Sequence, residues 1–291
     1  MTDPHTVIAV QDALARIDRG ERPVILDASL DLATPRFDGD YRATSGHGEW
    51  RRLRIDGSRH IDLLTQWVDP AAPYHFGAPR PDAFARELAA AGIDGSRPVW
   101  LYDRTNLMWA SRLWWTLRNA GIPAAVLDGG LRAWLRAGGP VASGGTDDPV
   151  RPVAPPPAVD LGLWVTRAEV EEALVGAAPH RPALICALSS DAMWGRVPTR
   201  YTRRGHIPGS LNLAGHALLD GDGSVLHGPG AAAVDALGLD LRRPLIVYCG
   251  GGISASLTAL GLVHWGAADV RIYDGSLEEW SAVPELALVS A

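Results

Sequence analysis

RPLIVYCGGGISAS, residues 243–256, is the stretch on which the fold turns. Four apolar residues, Leu245 to Tyr248, read as a short buried strand, and the Ala/Leu-rich run from Ser254 to Trp265 reads as a helix. Between them Cys249 opens onto Gly250, Gly251 and Gly252, which places one of only two cysteines at a strand-to-helix turn.

The same strand occurs earlier in the chain. Arg97-Pro98-Val-Trp-Leu-Tyr102-Asp103 lines up with Arg243-Pro244-Leu-Ile-Val-Tyr248-Cys249 at an offset of 146 residues. That offset also carries Leu127-Asp128-Gly129-Gly130-Leu131 and Trp134 onto Tyr273-Asp274-Gly275-Ser276-Leu277 and Trp280. A looser pair joins Gly57-Ser58 to Gly209-Ser210, and Val24–Asp27 resembles Ala183–Cys186. The chain therefore reads as a tandem duplication. Between its halves lies a Gly, Pro and Ser-rich stretch, residues 138–160, whose composition disfavours helix and strand alike. The expected division is a first domain over 1–140, a linker over 141–160 and a second domain over 161–291. Strands alternate with helices in each half, which predicts an α/β fold of two mainly parallel sheets flanked by helices, with reactive groups at the carboxyl ends of the strands.

Composition narrows the function. A chain of 291 residues with 47% apolar and 21% charged residues has enough apolar content for two cores. A net charge of −6 provides no general attraction for phosphate backbones or anionic lipid, so neither nucleic acid nor membrane is an expected partner. The N-terminal segment carries Asp3, Asp12 and Asp18 and resembles no signal or transit peptide, and no run approaches the roughly 20 apolar residues of a membrane span. A cytoplasmic location is expected, with free thiols rather than a disulfide. The two cysteines are far apart and no His-x-x-x-His pair occurs, so no metal and no other cofactor is expected.

A cysteine reacts as its thiolate, and a free pKa of about 8.5 leaves little of that form at neutral pH. A helix N-terminus changes this, because its first amides lack intrahelical partners and its dipole favours negative charge. Three glycines let the backbone curl round the sulfur and aim amides inward as an anion nest. A lone cysteine at a strand end is more often a small buried hydrophobe. Packing alone, however, does not ask for a glycine cradle. A phosphate loop of the Walker type would need a Gly-Lys-Ser/Thr ending, which is absent.

Taken together, Cys249-Gly250-Gly251-Gly252-Ile253-Ser254-Ala255, the preceding Gly205-His206-Ile207-Pro208-Gly209-Ser210 and the closing Tyr273-Asp274-Gly275-Ser276-Leu277-Glu278-Glu279-Trp280 resemble the rhodanese family of sulfurtransferases. The resemblance covers nearly the whole chain and implies two tandem rhodanese-like domains, the first inactive. Asp103 fits that arrangement, since a carboxylate cannot carry a sulfane sulfur. The implied mechanism is attack of Cys249 on a donor sulfur to give a persulfide. That sulfur is then delivered to cyanide, a thiol, thioredoxin or another sulfur-accepting protein. Gly250, Gly251, Gly252, Ile253, Ser254 and Ala255 form the implied persulfide-binding loop. Thiosulfate sulfurtransferases place basic residues directly after the cysteine. The loop here is similar to the 3-mercaptopyruvate branch, which makes that donor the expected one.

Two positions depart from the branch pattern. Gly251 stands where the resemblance implies a serine working with a histidine and an aspartate of the first domain. His75 occupies a place similar to that histidine, with Asp62 or Asp69 to orient it. Cys186-Ala187-Leu188 stands where a substrate-binding arginine is implied. An arginine fork suits a carboxylate and leucine does not. Among Arg196, Arg200, Arg203 and Arg204, Arg196 is the first expected replacement and Arg204 the second, although four cations in a loop are usually a solvated surface. His206 is expected to fix a turn, Cys186 to be a core thiol, and the Trp114-Trp115 pair to pack the interior, while Trp194 is a further pocket candidate. A phosphatase reading fails because Ala255 stands where Cys-x5-Arg needs its arginine. Thiosulfate as donor, or a persulfide carrier serving a partner protein, are the remaining alternatives.

Overall fold

The computed structural model describes residues 6–144, 153–175 and 181–291. In the first half the elements are β1 (Val7–Ile8), α1 (Val10–Asp18), β2 (Val24–Asp27), β3 (Leu30–Leu32), β4 (Ala43–Ser45), α2 (His47–Arg52), β5 (Arg54–Ile55), β6 (Arg59–His60), α3 (Pro81–Ala90), β7 (Val99–Tyr102), α4 (Met108–Asn119), β8 (Ala124–Leu127), α5 (Gly130–Arg136) and β9 (Val141–Ala142). The second half contributes β10 (Trp164–Val165), α6 (Arg167–Val175), β11 (Ala183–Cys186), α7 (Ser190–Met193), β12 (Leu211–Asn212), α8 (Gly230–Ala236), β13 (Leu245–Tyr248), α9 (Ile253–His264), β14 (Val270–Tyr273) and α10 (Ser276–Ser281).

Two five-stranded sheets result, with strand orders β1-β8-β7-β2-β6 and β10-β14-β13-β11-β12. Every pairing in both is parallel, and the two orders correspond strand for strand. The central strands β7 and β13 are buried throughout, as parallel strands covered on both faces must be. The repeat extends to side chains. Tyr102 Oη lies 2.9 Å from Ser58 Oγ and accepts from Ile55 N–H, while Tyr248 Oη lies 2.8 Å from Ser210 Oγ and accepts from Ile207 N–H. Each tyrosine buries its ring in the sheet and satisfies its hydroxyl on the Gly-Ser turn that the sequence comparison had paired.

The stretch between the halves is less irregular at its start than its composition suggests. Val141 and Ala142 pair antiparallel with Arg54–Ile55, so β9 belongs structurally to the first half. A β-branched residue beside a free strand edge outweighs the surrounding Gly and Pro. Residues 145–152 of the expected linker lie outside the described residues.

The halves share one interior. Helices α4 and α9 pack on each other, and the largest apolar cluster runs through Trp109, Trp114 and Trp115 of the first half into Leu257, Leu260 and Val263 of the second. Nearly every residue of both helices is buried, which explains why neither shows a clean polar face. Two equivalent aspartates fasten the edges of this contact. Asp128, after β8, accepts from Val225 N–H at 2.8 Å and from the Ser224 hydroxyl. Asp274, after β14, accepts from Ala78 N–H at 2.7 Å, Tyr74 Oη at 3.2 Å and Arg112 Nη2 at 2.9 Å. No helix among the described residues is long and apolar enough to cross a membrane.

Candidate active site

Strand β13 delivers Cys249 to the carboxyl end of its sheet, and the chain turns at Gly250–Gly252 into α9. Gly252 makes the turn at φ +77°, a left-handed conformation that a side chain disfavours. The loop is strapped to the start of α10. Cys249 N–H donates to Ser276 Oγ at 3.2 Å, and the carbonyls of Cys249 and Gly250 accept from the amides of Leu277 and Glu278 at 3.0 and 2.8 Å. Cys249 is 2% exposed and free, at the floor of a cleft of about 300 Å³ between the halves. The first-turn amides of α9, at Ser254 and Ala255, have no intrahelical carbonyl to bond.

Tyr41, Phe76 and Trp109 wall the cleft from the first half, and Arg200, Tyr201 and Glu278 from the second. Burial pushes the Tyr41 phenol well above its ordinary range, reinforced by the charges of Glu278 and Cys249. Burial also pushes the Tyr201 phenol up. Two donors of these lining residues, Arg200 Nε and Tyr201 Oη, are buried without a hydrogen-bond partner among the described residues. Arg200 is anchored through Nη2, which donates to the carbonyls of Leu32 at 3.2 Å and Ala33 at 2.7 Å. Desolvation lowers the pKa of its guanidinium, partly offset by Tyr41, Tyr201, Asp40 and Cys249.

The expected substrate arginines stand elsewhere. Arg196 pairs with Asp191 at 3.4 Å with both side chains more than half exposed, and Arg204 pairs with Asp38 at 2.8 Å; neither lines the cleft. Arg203 donates to the carbonyls of Trp280, Ser281, Val283 and Leu286 and holds the C-terminal segment. Of the four cations in that loop, Arg200 is the one the structure brings to Cys249's cleft.

His75 is also placed differently from the sequence expectation. Asp62 and Asp69 accept the amides of Leu64 and Ala71 in their own turns, whereas His75 Nδ1 lies 2.5 Å from Glu278 Oε1, across the boundary between the halves. Its ring stacks on Tyr41 with centroids 3.7 Å apart and planes 6° from parallel. The imidazole is half-exposed behind this pair, and Glu278 rather than His75 lines the cleft beside Cys249 and Gly251. The sequence carries Glu278 within the Tyr273–Trp280 motif without indicating a role for it, and holds no signal for Tyr41.

The remaining residues stand outside the cleft lining. His206 is buried, with Nδ1 3.1 Å from the Met193 carbonyl and its backbone bridged to Val289. Trp194 packs edge-on against His206 and stands outside the cleft lining. Cys186 is fully buried and free, and burial pushes its thiol up to about 12. No group of three His, Cys, Asp or Glu side chains among the described residues is arranged to hold a metal ion.

A parallel α/β repeat with a cysteine cradled between strand and helix of the second half defines a class, and sequence comparison agrees with it. The model of the rhodanese-like domain matches residues 10–137 and 195–283, and the chain belongs to the rhodanese family. It is similar to 3-mercaptopyruvate sulfurtransferase of Homo sapiens, 30% identical over 287 residues that cover 93% of this chain and 89% of that protein. A putative thiosulfate sulfurtransferase, SseB, of Mycobacterium tuberculosis (strain ATCC 25618 / H37Rv) is 28% identical and covers 96% of this chain and 95% of its own. Among solved structures, SseA of Escherichia coli, described among 3-mercaptopyruvate sulfotransferases, superposes with a TM-score of 0.75 at 26% identity, covering 93% of this chain and 98% of that one. The protein is an enzyme of the transferase type, a sulfurtransferase of the 3-mercaptopyruvate or thiosulfate kind.

Proposed function

We propose that the enzyme takes a sulfane sulfur from 3-mercaptopyruvate onto Cys249 as a persulfide and passes it to a thiol or cyanide. In the first step the Cys249 thiolate forms an S–S bond to the donor sulfur as the donor S–C bond breaks. The carbon keeps the electron pair and takes up a proton, so the products are the persulfide and pyruvate. In the second step the acceptor attacks the outer sulfur, the S–S bond breaks and the thiolate returns. The amides of Gly250 to Ala255 suit the anionic states on both sides of the transfer.

The observation that carries this reading is a buried cysteine at a helix N-terminus in a cleft also lined by Arg200 and Tyr201, whose Nε and Oη are buried and lack a hydrogen-bond partner among the described residues. Buried donors left unpaired in a protein cost about 1–3 kcal/mol each. A carboxylate entering the cleft supplies the missing acceptor once these side chains turn toward it, and a guanidinium is the side chain best shaped to receive it. Arg200 then does what was expected of Arg196. Thiosulfate is the second reading, favoured by the name of the mycobacterial relative and by the same two donors. The acceptor is a small thiol or a protein such as thioredoxin that can present a thiol to the open side of the cleft, with turnover in the cytoplasm.

Intact mass and peptide mapping after incubation with each donor test the reading. Wild-type protein is expected to gain one sulfur atom on Cys249 from 3-mercaptopyruvate. Arg200→Met is expected to need about 10–100-fold more of that donor, the size of a lost charge-assisted contact. Sulfur gained from thiosulfate alone would reverse the donor order, and sulfur gained from neither would leave a carrier loaded by a partner protein.

A further inference from the structure

We infer that Glu278 is the proton-transfer residue of the cleft and that His75 is the positioning residue holding it, a pair assembled from opposite halves of the chain. This rests on the persulfide reading above. Glu278 lines the cleft with Cys249 and Gly251, and its side chain is 19% exposed against 50% for His75. Its backbone is fixed by the bond from its N–H to the Gly250 carbonyl, so the carboxylate is tied to the loop that carries the cysteine. The two carboxylate oxygens have different surroundings. Oε1 is taken by His75 Nδ1 at 2.5 Å. Oε2 lies over the loop, 3.4 Å from where a Cβ on Gly251 would stand. The adjacent Glu279 turns away, with Oε2 accepting from the Tyr273 hydroxyl, so the orientation of Glu278 is its own.

A carboxylate beside a site built to hold an anion costs Coulomb energy. Pairing with His75 accounts for one oxygen and leaves the other over Gly251, in the loop that carries Cys249. The proposed donor supplies a use for it. The sulfur of 3-mercaptopyruvate carries a proton, and the carbon it leaves must acquire one. Glu278 Oε2 accepts the proton from the donor S–H as Cys249 attacks that sulfur. When the S–C bond breaks and the carbon takes the electron pair, the same oxygen returns the proton to it as a methyl C–H. Thiolate, donor and carboxylate become persulfide anion, pyruvate and carboxylate, with no net change in protons or charge. Transfer of the persulfide sulfur to cyanide, by contrast, gives thiocyanate and thiolate and moves no proton.

The test therefore separates the two half-reactions. Glu278→Gln keeps an oxygen for His75 and loses the base. Single-turnover loading by 3-mercaptopyruvate is expected to slow by about 100-fold or more, the lower range for a positioned general base. Discharge of the preformed persulfide to cyanide should be unchanged or faster. Equal slowing of both half-reactions, or of neither, overturns the assignment of Glu278. His75→Asn, which retains an N–H donor, is expected to load far faster than His75→Ala. If the two variants are equally slow, His75 itself carries the proton and the assigned roles are overturned. Wild-type protein that acquires no sulfur on Cys249 from 3-mercaptopyruvate would remove the persulfide reading and this inference with it, whereas normal loading by both wild type and Glu278→Gln would remove this inference alone.

Discussion

Asp103 and Cys249 end matching strands and enter matching turns, yet one turn is chemically closed and the other open. Asp103 is 1% exposed, and its carboxylate collects four backbone amides. Thr105 and Leu107 donate to Oδ1 at 2.9 and 3.1 Å, and Trp109 and Ala110 donate to Oδ2 at 3.1 Å each. Burial raises the pKa of this carboxyl while the amides of Ala110, Thr105 and Leu107 pull it down. The first-half loop is one residue longer and is capped by Leu107 at φ +63°, where the second half uses Gly252 at φ +77°. The first half thus shows what a strand-to-helix turn of this shape holds when filled, namely a group with two terminal oxygens surrounded by amides. In the second half the side chain at that position ends in a single sulfur, and on the proposed reading the substrate brings the second terminal atom.

The strongest way to break the comparison is to make the two turns alike. Cys249→Asp is expected to abolish sulfur transfer completely, as is Cys249→Ser, while the fold survives. If the amides of the second turn are arranged like those of the first, the new carboxylate is satisfied and the melting temperature stays within a few degrees of wild type or rises. If they are not, a buried charge without partners costs several kcal/mol, and the melting temperature falls by about 2–4 °C for each. Thermal unfolding of Cys249→Asp beside Cys249→Ser distinguishes these outcomes.

The converse change empties the filled turn. Asp103→Ala removes the acceptor of four amides and leaves a cavity under α4. Water entering the space recovers part of the loss, and the expected net destabilisation is about 3–5 kcal/mol. Because α4 packs on α9, some of that effect should reach the active half as faster loss of activity on heating. Denaturant unfolding that shows less than about 1 kcal/mol of destabilisation would mean the carboxylate is incidental to the turn.

Most of this architecture was legible because duplication leaves local marks. Short apolar runs before Asp103 and Cys249 and the Asp-Gly turns at 128 and 274 repeat at one spacing, and the sheets repeat accordingly. Even the looser Gly-Ser pairing proved structural, through the hydroxyls of Tyr102 and Tyr248. What was not legible lies across long separations. Glu278 meets His75 from about two hundred residues away, and no spacing rule announces such a pair. The arginine loop failed for a different reason. Arg196 has Asp191 five residues before it and is captured locally, and Asp38 from the first half draws Arg204 outward, which leaves Arg200 for the cleft. The partners each arginine finds, Asp191, Asp38 and, for Arg200, the carbonyls of Leu32 and Ala33, decide which of four similar cations is turned inward.

The neighbouring strands offer a smaller contrast of the same kind. Asp27 at the end of β2 pairs with Tyr102 in register, and Cys186 at the end of β11 pairs with Tyr248. Asp27 is answered by polar groups, with Oδ1 accepting from Ser29 N–H at 2.7 Å and lying 3.2 Å from His60 Nδ1. Cys186 sits mainly among apolar side chains such as Ile207 and Leu184, with the Leu188 backbone and the Tyr248 hydroxyl beside it, and burial outweighs them and pushes its thiol up to about 12. An unfolded cysteine ionises near 8.5, so between roughly pH 8.5 and 12 the unfolded chain loses that proton while the folded chain keeps it. The thiol's contribution is therefore fully present below about pH 8.5 and is lost as pH rises, by at most about 1.4 kcal/mol per unit. Cys186→Ala should lower stability by a constant cavity cost at all pH values and flatten the alkaline slope relative to wild type. Denaturant midpoints measured at pH 7, 8.5 and 9.5 separate the constant from the slope. Parallel curves for the two proteins would mean that Cys186 ionises in the folded state as readily as in the unfolded one, and the contrast between a buried thiol and an answered carboxylate would then reduce to size alone.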